Sequence, residues 1–233
     1  MDILITNIKF FKSIIRAFSA KKYITWVVKD TNIQVMTIDT YRYFLNLDTD
    51  IYEVLSSSEG VTFTIMPSLL HNYLNLFTQN LKIEIKNNLS LSNFEDKNCK
   101  INVQIPFIRQ IPPEYQHIGD TNIQFIVSRK TSLILSKFKG LVTYEIQNKT
   151  LYLRRWNEEM REEIIIPQID IIEGTILDFT CNNSWVDIFE YLGEYIENVM
   201  FGFSEDFLSV QFLFHKFENS YLEVQIPRSL TNR

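Results

Sequence analysis

Glycine, histidine and cysteine are scarce in this sequence of 233 residues, which contains six glycines, three histidines and two cysteines. The glycines are spread along the chain, so neither of the common glycine-rich motifs for nucleotide phosphates is present. The histidines are isolated from one another and from both cysteines, which removes the usual zinc motifs and nucleophile motifs. We therefore expect a protein that is not an enzyme and that has neither a metal nor a cofactor.

Long hydrophobic runs are also missing. No apolar stretch approaches the roughly 20 residues of a membrane helix, and no basic segment followed by an apolar one opens the chain. Cys99 and Cys181 are too far apart in the sequence for a metal knuckle or a redox pair, so both are expected to be reduced. The composition, 45% hydrophobic with a net charge of −5, is typical of a globular chain. An intracellular protein without membrane contact is expected.

Local patterns predict a mixture of strands and amphipathic helices. Residues 23–28 and 32–36 are strand-like and are joined by a short polar turn, which predicts a hairpin. Apolar residues just before the hairpin recur at helical spacing, and lysines and arginines occupy the opposite face. The apolar positions of this helix are Ile8, Phe11, Ile14, Ile15 and Phe18. In all, four helices are predicted, over residues 9–22, 66–79, 128–139 and 184–198.

The sequence contains an internal repeat. Residues 23–35 align with residues 141–153 without a gap, at an offset of 118 residues, and each segment follows a predicted helix with basic residues. In the second of these helices, Leu133, Ile134 and Phe138 are predicted to face the core. The core stripe predicted for the fourth helix comprises Trp185, Ile188, Phe189, Leu192 and Ile196.

A proline-containing segment separates the two halves. Pro106, Pro112 and Pro113 forbid a regular helix or a central strand there. The segment 105–116 is therefore predicted to be an extended connector between two domains, 1–104 and 117–233.

Three segments of this duplicated chain resemble the DNA sliding clamp family, of the proliferating cell nuclear antigen type. Residues 33–47 are similar to a strand-turn-strand segment of the family, and residues 220–230 resemble its last strand and hydrophobic tail. Ile111, Pro112, Glu114 and Tyr115 are similar to the Ile-Pro-Glu part of its interdomain loop. The resemblance implies an α+β protein of two tandem clamp-type domains, with antiparallel sheets outside and four helices on the inner face of a ring.

The charge distribution agrees with the ring that the resemblance implies. The first predicted helix carries five lysines and arginines and the third carries four, while the chain as a whole is acidic. A basic lining attracts DNA phosphates without regard to sequence and permits sliding. The residues predicted to lie near phosphate are Lys9, Lys12, Arg16, Arg129, Lys130, Lys137 and Lys139.

The fourth predicted helix departs from this pattern, because Asp187, Glu190, Glu194 and Glu197 fall opposite its apolar stripe. In the clamp arrangement these carboxylates would point into the hole and repel phosphate. Three accounts remain open: an off-centre DNA path, a heteromeric ring whose other subunits supply charge, or a clamp-like protein that no longer encircles DNA.

The resemblance also implies an outer pocket that binds short hydrophobic and aromatic peptides of DNA polymerase and other partners. The matching positions come from the first sheet, the connector and the C-terminal tail. They are Arg42, Tyr43, Leu45, Ile108, Ile111, Pro112, Gln225, Pro227 and Leu230.

These observations favour a polymerase processivity factor that encircles double-stranded DNA, forms a homotrimer, is placed on DNA by a clamp loader, and works in the nucleus or in a viral replication compartment. A second hypothesis is a checkpoint-type or viral clamp-like scaffold in repair or late transcription, for which the acidic fourth helix is the main argument. A third, a β protein that binds a small molecule, needs a cavity for which the sequence has no sign.

Overall fold

The computed structural model of the chain describes residues 1–37, 41–56, 60–93, 100–109, 121–156, 160–173 and 177–229. These residues form two units. The first comprises described residues within 1–37, 44–114 and 216–221, and the second comprises those within 38–43, 115–215 and 222–233.

Nine strands and two helices follow one another in the first unit. Arg42 and Tyr43, at the start of the fourth strand, are the only residues of these elements that belong to the second unit. They are β1 (Asp2–Ile5), α1 (Ile8–Ala17), β2 (Ile24–Val28), β3 (Asn32–Thr37), β4 (Arg42–Asp48), β5 (Tyr52–Ser56), β6 (Val61–Ile65), α2 (Pro67–Leu74), β7 (Leu81–Ile85), β8 (Leu89–Asn93) and β9 (Asn102–Ile105).

The second unit repeats this order of elements, with a short 3-10 helix (Ser184–Ile188) before its last helix. Its elements are β10 (Ile123–Ser128), α3 (Arg129–Leu135), β11 (Leu141–Gln147), β12 (Thr150–Trp156), β13 (Arg161–Ile166), β14 (Asp170–Glu173), β15 (Leu177–Asn182), α4 (Phe189–Leu192), β16 (Ile196–Phe203), β17 (Phe207–Phe214) and β18 (Tyr221–Pro227).

The strand pairing is the same in both units. In the first, five strands lie in the order β5-β1-β7-β8-β9 and four in the order β4-β3-β2-β6. In the second, the orders are β14-β10-β16-β17-β18 and β13-β12-β11-β15, so each strand has its counterpart nine strands later. The duplication predicted from an alignment of 13 residues therefore extends to the whole topology.

The predicted hairpin and its repeat are both present. Strands β2 and β3 pair antiparallel, and so do β11 and β12. The second hairpin closes through Asn148 and Lys149, whose φ angles are 50° and 61°. Two consecutive positive φ angles are typical of the type I′ turn, which matches the twist of the flanking strands.

The chain that follows the last strand of each unit covers an outer strand. Ile108 and Thr64 of β6 exchange two backbone hydrogen bonds, with N···O distances of 2.7 and 3.0 Å. In the second unit, Arg228 forms the equivalent bridge to Cys181 of β15. By contrast, within the described residues β5, β9, β13 and β14 each pair with a single strand, so each has an open edge.

Helix α1 follows the predicted amphipathic pattern. Asn7 caps its N-terminus by accepting a hydrogen bond from the Phe10 amide at 3.1 Å. All five predicted apolar positions are buried. The helix ends at Ala17, five residues before the predicted end: the amide of Phe18 is shared between the carbonyls of Ile14 and Ile15, and the amide of Ser19 bonds only three residues back, to the carbonyl of Arg16.

The predicted helix over 66–79 is shorter, α2, with Pro67 in its first turn as expected. The orientation predicted for α3 is wrong in part. Leu133 and Ile134 are 40% and 49% exposed, whereas Ser132 and Leu135 are fully buried. Helix α3 has only seven residues, and the Ser132 hydroxyl donates to the carbonyl of Ser128, which turns this small side chain inward. Phe138 is buried as predicted.

The fourth helix also differs from the prediction. It consists of the 3-10 helix and α4 and ends at Leu192, and the predicted residues from Ile196 onward belong to strand β16. Its predicted core residues are all buried, but Ile196 is buried within a sheet. As a result Asp187, Glu190 and Glu197 lie on a 3-10 helix, an α-helix and a strand, and the predicted row of carboxylates on one helix face does not form.

A buried polar network lies in the core of the second unit. The Trp185 indole donates to the Tyr144 hydroxyl at 3.0 Å, and that hydroxyl donates to Oδ1 of Asn183. Nδ2 of Asn183 in turn donates to the carbonyl of Phe138. Burial raises the pKa of Tyr144, so its hydroxyl remains a donor at ordinary pH. Nearby Cys181 is buried and burial raises its pKa to about 12, while Cys99 lies outside the described residues.

We expect Tyr144→Phe to lower the free energy of unfolding by about 2–4 kcal/mol, because the indole N–H and the Asn183 oxygen would both remain buried without a partner. Urea denaturation measures this difference. Tyr23→Phe is the matched control, since Tyr23 is 45% exposed, and its effect should stay within about 0.5 kcal/mol. Equal stabilities of the two variants would show that the network contributes nothing.

Candidate nucleic-acid interface

The predicted phosphate-facing residues of the first unit lie on α1. Lys9 and Arg16 are exposed on the face opposite the buried stripe. Lys12 is half-buried, and its Nζ donates to the carbonyl of Phe77, just beyond α2, at 2.6 Å. Burial lowers the pKa of Lys12. Lys12 therefore ties α1 to the end of α2, and Lys9 and Arg16 are the more accessible cations of the helix.

His71 of α2 is an additional titratable group at this surface that sequence reasoning missed. Its Nδ1 is buried and has no hydrogen-bond partner within the described part of the chain. Burial lowers its pKa, and the charges of Arg16 and Lys12 on α1 lower it further. Only the packing of α1 on α2 brings these three side chains together, so no local sequence signal could have revealed the site.

The predicted basic residues of the second unit lie on α3 and just after it. Arg129 and Lys130 occupy the first turn of α3 and are exposed. Lys137 and Lys139 follow the helix and are exposed as well. The helix itself therefore contributes only two of the four predicted cations.

Lys139 is held by two carboxylates. Its Nζ lies 2.9 Å from Oδ1 of Asp187 and 3.0 Å from Oε1 of Glu190. Hydrogen bonds to Asp187 and then to Glu190 raise the pKa of Lys139 to about 12. The predicted acidic surface and the predicted basic surface of this unit thus meet at one residue. The partners are 48 and 51 residues away in the sequence, which is why the sequence patterns did not connect them.

Three successive backbone carbonyls fix the turn that carries Lys139. The Phe138 carbonyl accepts from the Asn183 side chain, and the Gly140 carbonyl accepts from the Asn183 amide at 2.7 Å. The Lys139 carbonyl accepts from the Arg155 guanidinium at 3.0 Å. Gly140 has a φ of 87°, a conformation that favours glycine.

The positions predicted to bind partner peptides differ in their exposure. Arg42, Ile108 and Pro227 are exposed, Ile108 at 58%. Tyr43, Leu45 and Gln225 are buried at 8%, 0% and 5% exposure, so their side chains present little or no surface to a ligand. Ile111, Pro112 and Leu230 lie outside the described residues.

Two helices leave apolar side chains exposed, and each helix belongs to a unit with open strand edges. On α2 and the turn after it, Tyr73 and Leu76 are 39% and 52% exposed, and α2 contacts β9. On α3, Leu133 and Ile134 are exposed. Arg155 of β12, the neighbour of β13 in its sheet, donates to the carbonyl of Lys139 in the turn after α3. Each unit therefore presents an apolar helix surface and an open strand, which together are typical of an association surface.

No group of three or more histidine, cysteine, aspartate or glutamate side chains is placed to hold a metal ion among the described residues. In the same part of the chain, no helix has the length and apolar character needed to cross a bilayer.

The fold that these two units repeat is the DNA sliding clamp fold, as predicted. One similar solved structure is a chain of the PCNA2–PCNA3 complex of Sulfolobus tokodaii, with a TM-score of 0.81, 14% identity and coverage of 98% of this chain and 99% of that one. Another is the proliferating cellular nuclear antigen of Entamoeba histolytica, with a TM-score of 0.79, 14% identity and 98% coverage of both chains.

Comparison of the sequence with protein-family models and with curated proteins finds no match. The likeness to the solved structures therefore concerns the fold, and the function has to be argued from the residues.

We expect the pKa of His71, measured by NMR titration of its ring protons, to lie below the ordinary 6.5. Because the folded protein disfavours the protonated ring, protonation of His71 should lower the free energy of unfolding as the pH falls below about 6.5. Above that pH His71 should have no such effect. Lys12→Met should raise the measured pKa, since it removes one neighbouring positive charge. A pKa above 6.5, or no response to Lys12→Met, would contradict this account of α1 and α2.

Proposed function

We propose that the protein is a non-enzymatic DNA sliding clamp, a ring of several copies that encircles duplex DNA and tethers DNA polymerase and other partners to it. The observation that carries this proposal is the duplicated topology of both units, which matches solved clamp chains over 98% of the sequence. Topological linkage keeps a tethered polymerase at a high effective concentration near the primer end without a tight grip on DNA.

The exposed cations of α1 support attraction to DNA. Lys9 and Arg16 project from a helix whose opposite face is fully buried, so their orientation is fixed although their side chains are solvated. A few solvated contacts attract phosphate regardless of sequence and are weakened by salt. Arg129, Lys130 and Lys137 are the corresponding candidates in the second unit. This arrangement suits sliding better than site-specific binding.

The open edges and the exposed apolar helix residues support assembly of identical copies. Backbone groups along β9 of one copy and β13 of another would complete each other's hydrogen bonds, while the apolar residues of α2 and α3 would be buried in the same contact. Because the two surfaces of one chain differ, such a head-to-tail contact generates a closed ring when its rotation permits, and we expect three copies.

Partner peptides are proposed to contact the predicted positions that have exposed surface, which are Ile108 in the first unit and Arg42 and Pro227 in the second. A clamp loader is required to open the ring on DNA, and the nucleus or a viral replication compartment is the expected place of action.

A clamp-like scaffold in a heteromeric ring is the second candidate. Two observations favour it: the similar chain from Sulfolobus tokodaii comes from a complex named for two different PCNA chains, and Asp187 and Glu190 offset the charge of Lys139. Different subunits in such a ring would supply the missing positive charge.

We expect the purified protein to have about three times the 27.7 kDa mass of one chain in multi-angle light scattering. Ile134→Glu should shift the mass toward that of a monomer, because it introduces a charge into the proposed apolar contact. Leu141→Glu is the control: Leu141 is also about half exposed but lies on β11, and this variant should keep the wild-type mass. A monomeric wild-type protein would favour the heteromeric scaffold.

Encirclement is tested with a linear duplex whose ends are open or blocked by biotin and streptavidin. We expect the protein to accumulate on the open duplex at low salt by threading over its ends, and to be lost from the blocked one. If the ends are blocked after threading, the protein should remain bound when the salt concentration is raised. Equal binding to open and blocked duplexes would indicate side-on association and would contradict a ring.

A further inference from the structure

The ion pair of Lys139 with Asp187 and Glu190 is open to solvent and to any approaching phosphate. The side chains of the three residues are 55%, 64% and 58% exposed. A phosphate that approached Lys139 would therefore meet two carboxylates already in place around the ammonium group. Together the three side chains carry a net charge of −1, so the cluster as a whole repels an anion.

The geometry of this ion pair is largely fixed by the fold. Asn183 directly precedes the 3-10 helix that carries Asp187, and it also binds the carbonyls on both sides of Lys139. Asn183 is fully buried and is itself oriented by Tyr144. Exposed ion pairs are usually weak, partly because two long side chains must be ordered. Here the backbone of both partners is held by one anchor, so less ordering is left to the side chains.

We propose that Asp187 and Glu190 act as internal competitors of DNA phosphate for Lys139, so that the second unit attracts DNA less strongly than its content of lysine and arginine suggests. This inference rests on the proposed function, because it concerns the strength with which a clamp holds DNA. The carboxylates limit the number of phosphate contacts, which keeps the protein mobile on the duplex.

The proposal predicts a gain of DNA binding when negative charge is removed. Asp187→Asn/Glu190→Gln should bind a short open-ended duplex about 3- to 10-fold more tightly at 50 mM salt. The plot of log affinity against log salt should become steeper by about 0.9 for each added phosphate contact. Fluorescence anisotropy of a labelled duplex measures both quantities.

The matched control is Glu205→Gln/Asp206→Asn. It makes the same change in net charge at two exposed carboxylates in the turn between β16 and β17, and it should change affinity much less. An equal gain in both variants would mean that net charge alone is responsible and would overturn the proposal.

Lys139→Ala completes the test. In the wild-type background it leaves the two carboxylates uncompensated and should weaken binding, whereas in the Asp187→Asn/Glu190→Gln background it should abolish the gain. An unchanged or weaker affinity of the double variant would overturn the proposal.

Lys9→Glu separates this inference from the proposed function. Weaker binding by Lys9→Glu, with no gain in affinity from Asp187→Asn/Glu190→Gln, would support the proposed clamp and reject the competition. Absence of binding by the wild-type protein and by every variant would reject both, whereas binding by the double variant alone would support the competition.

Discussion

Burial of one side of each short helix is the constraint on which the rest of the structure depends. In α1 the side chains of Phe10, Phe11, Ile14 and Ile15 are fully buried, and Phe10 stacks on Phe217 with 4.6 Å between the ring centroids. This packing leaves α1 a single orientation, which fixes the direction of Lys9 and Arg16. The charged surface of the first unit is therefore a consequence of its core.

In the second unit a polar anchor has a similar role. Helix α3 buries Ser132 and Leu135 and leaves Leu133 and Ile134 exposed. Burial of apolar side chains therefore explains less of the position of α3 than of the position of α1. The buried hydrogen bonds of Asn183 instead join the turn after α3 to the start of the next helix. The same anchor that orders the core also brings a lysine to two carboxylates, and the two units thereby differ in surface charge although they share one topology.

Sequence patterns predicted the architecture well because strand alternation and hairpin turns are local. The hairpins over 23–36 and 141–153 and the amphipathic α1 follow from short-range patterns, whereas the clamp fold was predicted from the resemblance of three segments to the sliding clamp family. The extent of the fourth helix was overestimated because its apolar spacing continues into β16, where pairing with β10 and β17 overrides it. The orientation of α3 depended on Ser132, a small polar residue that a hydrophobic pattern does not detect.

The candidate site was predictable in its residue types but not in its contacts. Lys12, Lys139 and His71 acquire their partners from segments far away in the sequence, through helix packing or through a shared turn. Leu45 and Gln225 illustrate the same point, because both are buried. The sequence of a strand gives the character of each side chain, but it does not give the face of the strand that the rest of the protein covers.

The open edges of β9 and β13 also matter for how the chain is handled after synthesis. The outer edges of β6 and β15 are closed by the segments that follow the last strand of each unit, but β9 and β13 have no such cover among the described residues. A copy without neighbours would expose these strands to any extended polypeptide, with misassociation as the hazard. Exposure of these edges should therefore limit how much of this protein stays in solution when no partner strand covers them.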